Sequence, residues 1–81
     1  MKDLNLSRNE EIKKCLCIKK YVMITRDGPY VSVTHEVNDI CECKELLNSD
    51  GEIIGYYVKY DVFRLKLLSD FNKHYKIMIE N

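Results

Sequence analysis

The chain has 81 residues, with thirteen Lys and Arg against thirteen Asp and Glu, and 46% apolar side chains. A chain of this length makes a single domain that buries only about 60 to 65% of the surface its unfolded form exposes, which argues against a deep pocket alongside a sizeable core. No apolar run approaches the roughly 18 to 20 residues that cross a bilayer, and MKDLNLSRNEE has no apolar centre of a signal peptide, so a cytoplasmic protein without membrane contact is expected.

In chain order, Ser7-Arg8-Asn9-Glu10 matches a capping box, in which Ser7 caps a helix and Glu10 reaches back to it. A short helix from Arg8 to Lys14 follows, supported by a Glu10 to Lys14 pair, so residues 1–14 read as an N-terminal arm with a short helix. From Cys15 the texture changes. CLCIKKYVMIT is rich in β-formers, RDGPY interrupts it, and YVSVTHEV alternates with the period of a half-buried strand. These segments predict a hairpin around Asp27-Gly28-Pro29-Tyr30.

A second hairpin is signalled by ICECKELLNSDGEIIGYYVKYD, whose Asn48-Ser49-Asp50-Gly51 has turn chemistry. DICECKELL could instead form a short helix capped by Asn38 or Asp39; the strand is the reading taken. The remainder, DVFRLKLLSDFNKHYKIMIE, reads as a strand, a short turn near Ser69-Asp70 and a last strand ending near Glu80. Alanine, the best helix former, is absent, while Ile, Val and Tyr favour strands. The expected fold is therefore mainly β, with α+β as the alternative: a small antiparallel, partly open barrel of five or six strands over residues 15–80, preceded by the short helix.

GPYVSV, then EIIGYYVKYD, then Phe71 ten residues on, is similar to a pattern in small bacteriophage and mobile-element proteins with Src-homology-three-like barrels. The resemblance covers residues 15 to 71; the usual Asp-Asn-Gly turn after the fourth strand is replaced by Asp61-Val62-Phe63. It implies a barrel and an accessory role toward a host, and no single activity.

Cys-x-Cys occurs twice, at Cys15 and Cys17 and at Cys41 and Cys43. In a reducing compartment four cysteines mean free thiols or metal ligands before disulfides. If the first hairpin pairs residues whose numbers sum to 58, as a three-residue Gly28-Pro29-Tyr30 loop allows, Cys15 faces Cys43, Cys17 faces Cys41 and Lys19 opposes Asp39. All four sulfurs then share one face. Zinc needs sulfurs less than about 4 Å from one another, whereas side chains two apart on a flat strand stand roughly 6.5 to 7 Å apart, so no metal or other cofactor is expected. A thiol nucleophile, Cys41 or Cys43 with His35 as base, has no orienting third group, and no enzymatic activity is expected. The thiols read as core filler.

Charge runs basic, acidic, basic. Residues 36–55 carry one Lys or Arg against six Asp and Glu. Glu36, Asp39, Glu42, Glu45, Asp50 and Glu52 form that block and predict an acidic patch that docks on a basic surface of a host protein, with Tyr30 and Tyr57 as anchors. Inhibition of a defence nuclease or of transcription is the function this implies, by a monomer or homodimer. The alternative is a single-stranded nucleic-acid binder using Tyr56, Lys59, Tyr60, Arg64 and Lys66, where rings would stack on bases and cations would track phosphate.

Overall fold

Alternating Val, Ile, Tyr and Cys build strands through most of the chain, each with one face turned inward. The computed structural model describes residues 6–25, 28 and 30–78. Along them run β1 (Ser7–Arg8), β2 (Lys13–Cys17), β3 (Tyr21–Thr25), β4 (Val31–His35), β5 (Ile40–Leu47), β6 (Ile53–Lys59), β7 (Phe63–Leu67), α1 (Leu68–His74) and β8 (Tyr75–Ile77). Every ladder is antiparallel. The larger sheet has the order β7-β6-β5-β2-β8, with β1 also paired to β5, and β3 and β4 make a separate two-stranded sheet. The fold is mainly β, made of open sheets rather than a closed barrel.

The first hairpin forms, but broken and shifted. β3 pairs with β4 through Tyr21↔His35 and Thr25↔Val31, and β2 pairs with β5 through Leu16↔Ile40 and Cys15↔Cys41. Both ladders sum to 56 rather than 58, so that five residues instead of three separate the last pair, Thr25 and Val31. Between the ladders the chain turns a corner, where Asn38 takes a φ of 78° and its N–H donates to the Cys17 carbonyl at 2.7 Å. A shift of two residues preserves which way each side chain points. All four thiols therefore still face inward, free and buried, although Cys15 now opposes Cys41 and Lys19 has left the ladder.

The expected helix from Arg8 to Lys14 is replaced by β1 and β2, which lie along one edge of β5. A seven-residue helix does not sustain itself in water. Extending Lys13–Cys17 instead satisfies the β5 backbone and buries Cys15 and Cys17. Glu10 does not cap; its carboxylate accepts from Lys44 at 2.9 Å and from Arg8 at 2.8 Å.

The second hairpin joins β5 to β6 as a strand pair, with Gly51 at a φ of 80° closing the turn and the Asn48 side chain accepting from the Asp50 and Glu52 amides. Gly55 admits β7: a Cβ there would stand 2.7 Å from the Lys66 carbonyl oxygen. The turn expected near Ser69-Asp70 is a two-turn helix, α1, with Asp70 in its first turn and Lys73 and His74 in its last, matching the helix dipole. The last strand is β8, and Glu80 lies outside the described residues.

α1 links the two edge strands, and its seven residues rise only about 10 Å. The edges of a flat five-stranded sheet would stand roughly 19 Å apart, so the sheet curls around α1. Phe71 is driven from the helix into the hollow, against Tyr56 (ring centroids 4.3 Å apart) and Tyr75 (5.5 Å). The core is thus made of sulfur and aromatic rings: the four cysteines, Met23, Val58, Tyr56, Tyr60, Phe71 and Tyr75.

Candidate functional site

At the corner, four elements bring polar side chains together. His35 ends β4 and is only 9% exposed. Its Nδ1 lies 2.9 Å from the Tyr75 hydroxyl on β8 and 3.4 Å from the Cys41 sulfur on β5. The Tyr75 and Tyr60 hydroxyls are 2.7 Å apart, and the Tyr60 ring stacks on the imidazole at 4.6 Å and 15°. With a neutral imidazole protonated on Nε2, Nδ1 is free to accept and every phenol hydrogen of the cluster finds an acceptor. Tyr60 then donates to Tyr75, and Tyr75 donates to Nδ1. Beside this relay, Asp39, Ile40, Cys41, Glu42, Lys59 and His35 line an open cavity of about 290 Å³.

Cys41 and His35 stand at the distance of a nucleophile and its base, but their proton states oppose that use. Burial pushes the Cys41 thiol up to about 11, and burial lowers His35 from its ordinary value, with Lys66 adding to the effect and Asp39 opposing it. A reactive pair needs thiolate beside imidazolium; the environment favours thiol beside imidazole. Tyr75 also occupies the nitrogen that would take the proton. Cys15 is raised by its contact with the Cys43 thiol and by burial, and Cys17 is raised by burial. Among the described residues no three Cys, His, Asp or Glu donors are arranged to hold a metal ion.

The acidic block, contiguous in sequence, is divided in space. Glu36, Asp39 and Glu42 gather at the corner, where Asp39 accepts from the Glu36 amide at 2.8 Å. Asp50 and Glu52 lie in the turn at the opposite end of β5, whose eight residues span roughly 24 Å. Glu45 joins neither group: it accepts from the Asn9 side chain at 3.0 Å and pairs with Lys13 at 3.6 Å, half-buried. Tyr30 is exposed at the far tip of the β3–β4 hairpin, remote from the corner. Tyr57 lies on the outer face of β6 opposite Lys44, with the Arg8 guanidinium 5.5 Å from its ring centre.

The rings assigned to base stacking are core. Tyr56 packs on Phe71, and Tyr60 is buried in the relay. Arg64 is engaged twice by Asp61, at 3.0 Å each, and Lys66 sits 3.7 Å from the Tyr21 ring centre. Lys59 alone of those five side chains is exposed. Sequence reasoning paired His35 with Cys41 and missed Tyr75 and Tyr60; those residues are 40 and 25 positions from His35, and no local pattern connects them. The exposed apolar residues at the corner were missed as well, although Ile40 and Val37 both stand among the acids in the sequence. No family model matches the chain, and neither a curated protein nor a solved structure matches it.

Proposed function

We propose that the protein is a non-enzymatic protein-binding effector, of the kind a bacteriophage or mobile element encodes, which occupies a basic surface on a host protein such as a defence nuclease or a transcription component. The observation that carries this reading is the outer surface of the corner. Ile40 is 59% exposed, Ile18 and Val37 are exposed with it, and Asp39, Glu36 and Glu42 border them. Leaving an isoleucine in water does nothing for the isolated fold. An apolar anchor within a charged rim is the common anatomy of a protein interface.

The partner this fits has a shallow apolar pocket edged by Lys or Arg, with the carboxylates steering its approach. Tyr57 shares the outer face of the sheet and is a second anchor; Asp50, Glu52 and Tyr30 fall outside the surface. The neutral thiol and imidazole at Cys41 and His35 support the absence of enzymatic chemistry. The curled larger sheet is read as a partly open Src-homology-three-like barrel, which the likeness over residues 15–71 implies.

Immobilised protein is exposed to nuclease-treated host lysate, with Ile40→Asp in parallel. One basic protein is expected on the unchanged chain and none on the variant. Glu42→Lys should slow association with that protein about tenfold at low salt, as the loss of steering requires. Recovery of oligonucleotide without protein, or equal retention by Ile40→Asp, would reject the proposal.

A further inference from the structure

The β3–β4 hairpin shares no backbone ladder with the larger sheet, so among the described residues its attachment rests on side chains. Met23, Tyr21, Val31 and Val33 supply apolar contact with the core. The polar part is His35: its ring is stacked on Tyr60 and its Nδ1 is satisfied by Tyr75, while the Cys17 thiol, 3.6 Å from its carbonyl, donates to the nearer Lys19 carbonyl at 3.1 Å. Tyr21, its cross-strand partner, packs at a tilt against Tyr60, 5.9 Å between ring centroids, and edge-on against His74 at 4.8 Å.

We infer that His35 is a pH-operated latch: protonation of its Nδ1 releases the β3–β4 hairpin from the larger sheet while that sheet stays folded. The number of hydrogens at the relay decides it. In the neutral state Tyr60 and Tyr75 each have one hydrogen and each finds an acceptor, the second on Nδ1. A proton on Nδ1 adds a third hydrogen and removes an acceptor. Nδ1–H must then donate to the Tyr75 oxygen, and one phenol hydrogen is left unpaired in a buried site, a loss that buried groups tolerate poorly.

The surrounding charges leave the balance with this count. From β7, Lys66 reaches over Tyr60, its nitrogen 5.7 Å from the ring centre, and disfavours a second cation. From the chain before β5, Asp39 favours the cation, but its carboxylate already accepts from the Glu36 amide. Cys41 faces the imidazole from β5 and Cys17 of β2 lies by the His35 carbonyl, and burial raises both thiols. His74 on α1 is half-buried and meets the Tyr21 ring edge-on. Glu36 next to His35 pairs with Lys20 at 3.8 Å, and Glu42 and Lys59 face the cavity together.

The test is amide hydrogen exchange on the full chain, read residue by residue between pH 7.5 and 5 and corrected for intrinsic rates. Amides of β3 and β4 are expected to lose at least about tenfold in protection relative to β5 and β6 as the pH falls. His74→Gln should preserve that difference and His35→Gln should abolish it. Tyr75→Phe leaves Cys41 as the neighbour of Nδ1 and takes away the acceptor of the Tyr60 hydrogen in both protonation states, so protonation no longer strands a phenol hydrogen and the transition should move to higher pH. Equal loss of protection in both sheets, a pH response that survives in His35→Gln, or a Tyr75→Phe transition that stays in place or moves lower would each overturn the latch. If His35→Gln does not fold, the Tyr75→Phe shift decides alone.

Discussion

Cys43 and Gly55 show how little freedom single positions have in a core this small. Cys43 is fully buried between Cys15 and Val58, so Cys43→Ser places a hydroxyl where only a weak sulfur partner is available. An unsatisfied buried hydroxyl costs about 1–3 kcal/mol, and urea unfolding should show that loss. If the thiols are filler, a strong chelator leaves the melting temperature of the unchanged chain where it is; a drop would mean an ion holds the sulfurs. Gly55 is constrained by backbone. The Lys66 carbonyl lies where a methyl would go, so Gly55→Ala must push β7 away from β6. Overpacking of this kind costs about 1–3 kcal/mol, and the same urea measurement should show it, with exchange of the β7 amides rising first. The parity of the cysteines was legible in the sequence because two-residue spacing fixes the face. The relay was not, since His35, Tyr60 and Tyr75 meet only through three different strand pairings.

At the scale of elements, most strands and the turn at Asn48 to Gly51 announced themselves through alternation and through Asn, Asp and Gly, whereas Asp27 and Pro29 of the first expected turn lie outside the described residues. The offset of two residues did not, because it depends on how many residues the 26–30 connection uses. The N-terminal arm was misread for a physical reason: Ser7 to Glu10 carries genuine capping chemistry, but the open edge of β5 offers more hydrogen bonds than a seven-residue helix. The acidic block failed as a patch because a strand of eight residues separates its ends. α1 was read as a turn, and its importance is larger than its length. It bridges the edges of the curled sheet and brings Phe71 under Tyr56 and Tyr75. Phe71→Ala removes the shared ring of that stack. A loss of about 3–5 kcal/mol is expected, close to the whole stability of so small a domain. Circular dichroism should then show loss of tertiary tyrosine signal at room temperature, whereas Leu65→Ala on the exposed face of β7 should leave it intact.

For the whole molecule, a core of thiols and phenols sets the pH range in which the fold holds. Tyr60 and Tyr75 are raised well above the ordinary tyrosine value, chiefly by burial, and Tyr56 is raised by the same cause. Cys15 and Cys17 are raised too, and Cys41 reaches about 11 against an ordinary 9.0. For each of these acids the folded chain holds its proton at a pH where the unfolded chain has released it. Their contribution is full below the unfolded values and declines as pH climbs through the folded ones. On the acid side His35 is lowered, so its contribution is full above its unfolded value near 6.5 and is lost as pH falls through its folded value. Glu10, lowered by Lys44 and Arg8, and Asp61, held at about 2 by Arg64, act at lower pH still; both are exposed and contribute little. The denaturation midpoint should therefore be flat from near neutrality to about pH 9, with a shallow acid limb and a steep alkaline one. The two limbs separate by substitution. Tyr60→Phe removes a buried phenol and should flatten the alkaline limb at some cost in overall stability, because Tyr75 loses its donor. A midpoint that stays level from pH 9 to 11 would show that these phenols and thiols reach water in the folded chain, and the sulfur and aromatic core described here would then be wrong.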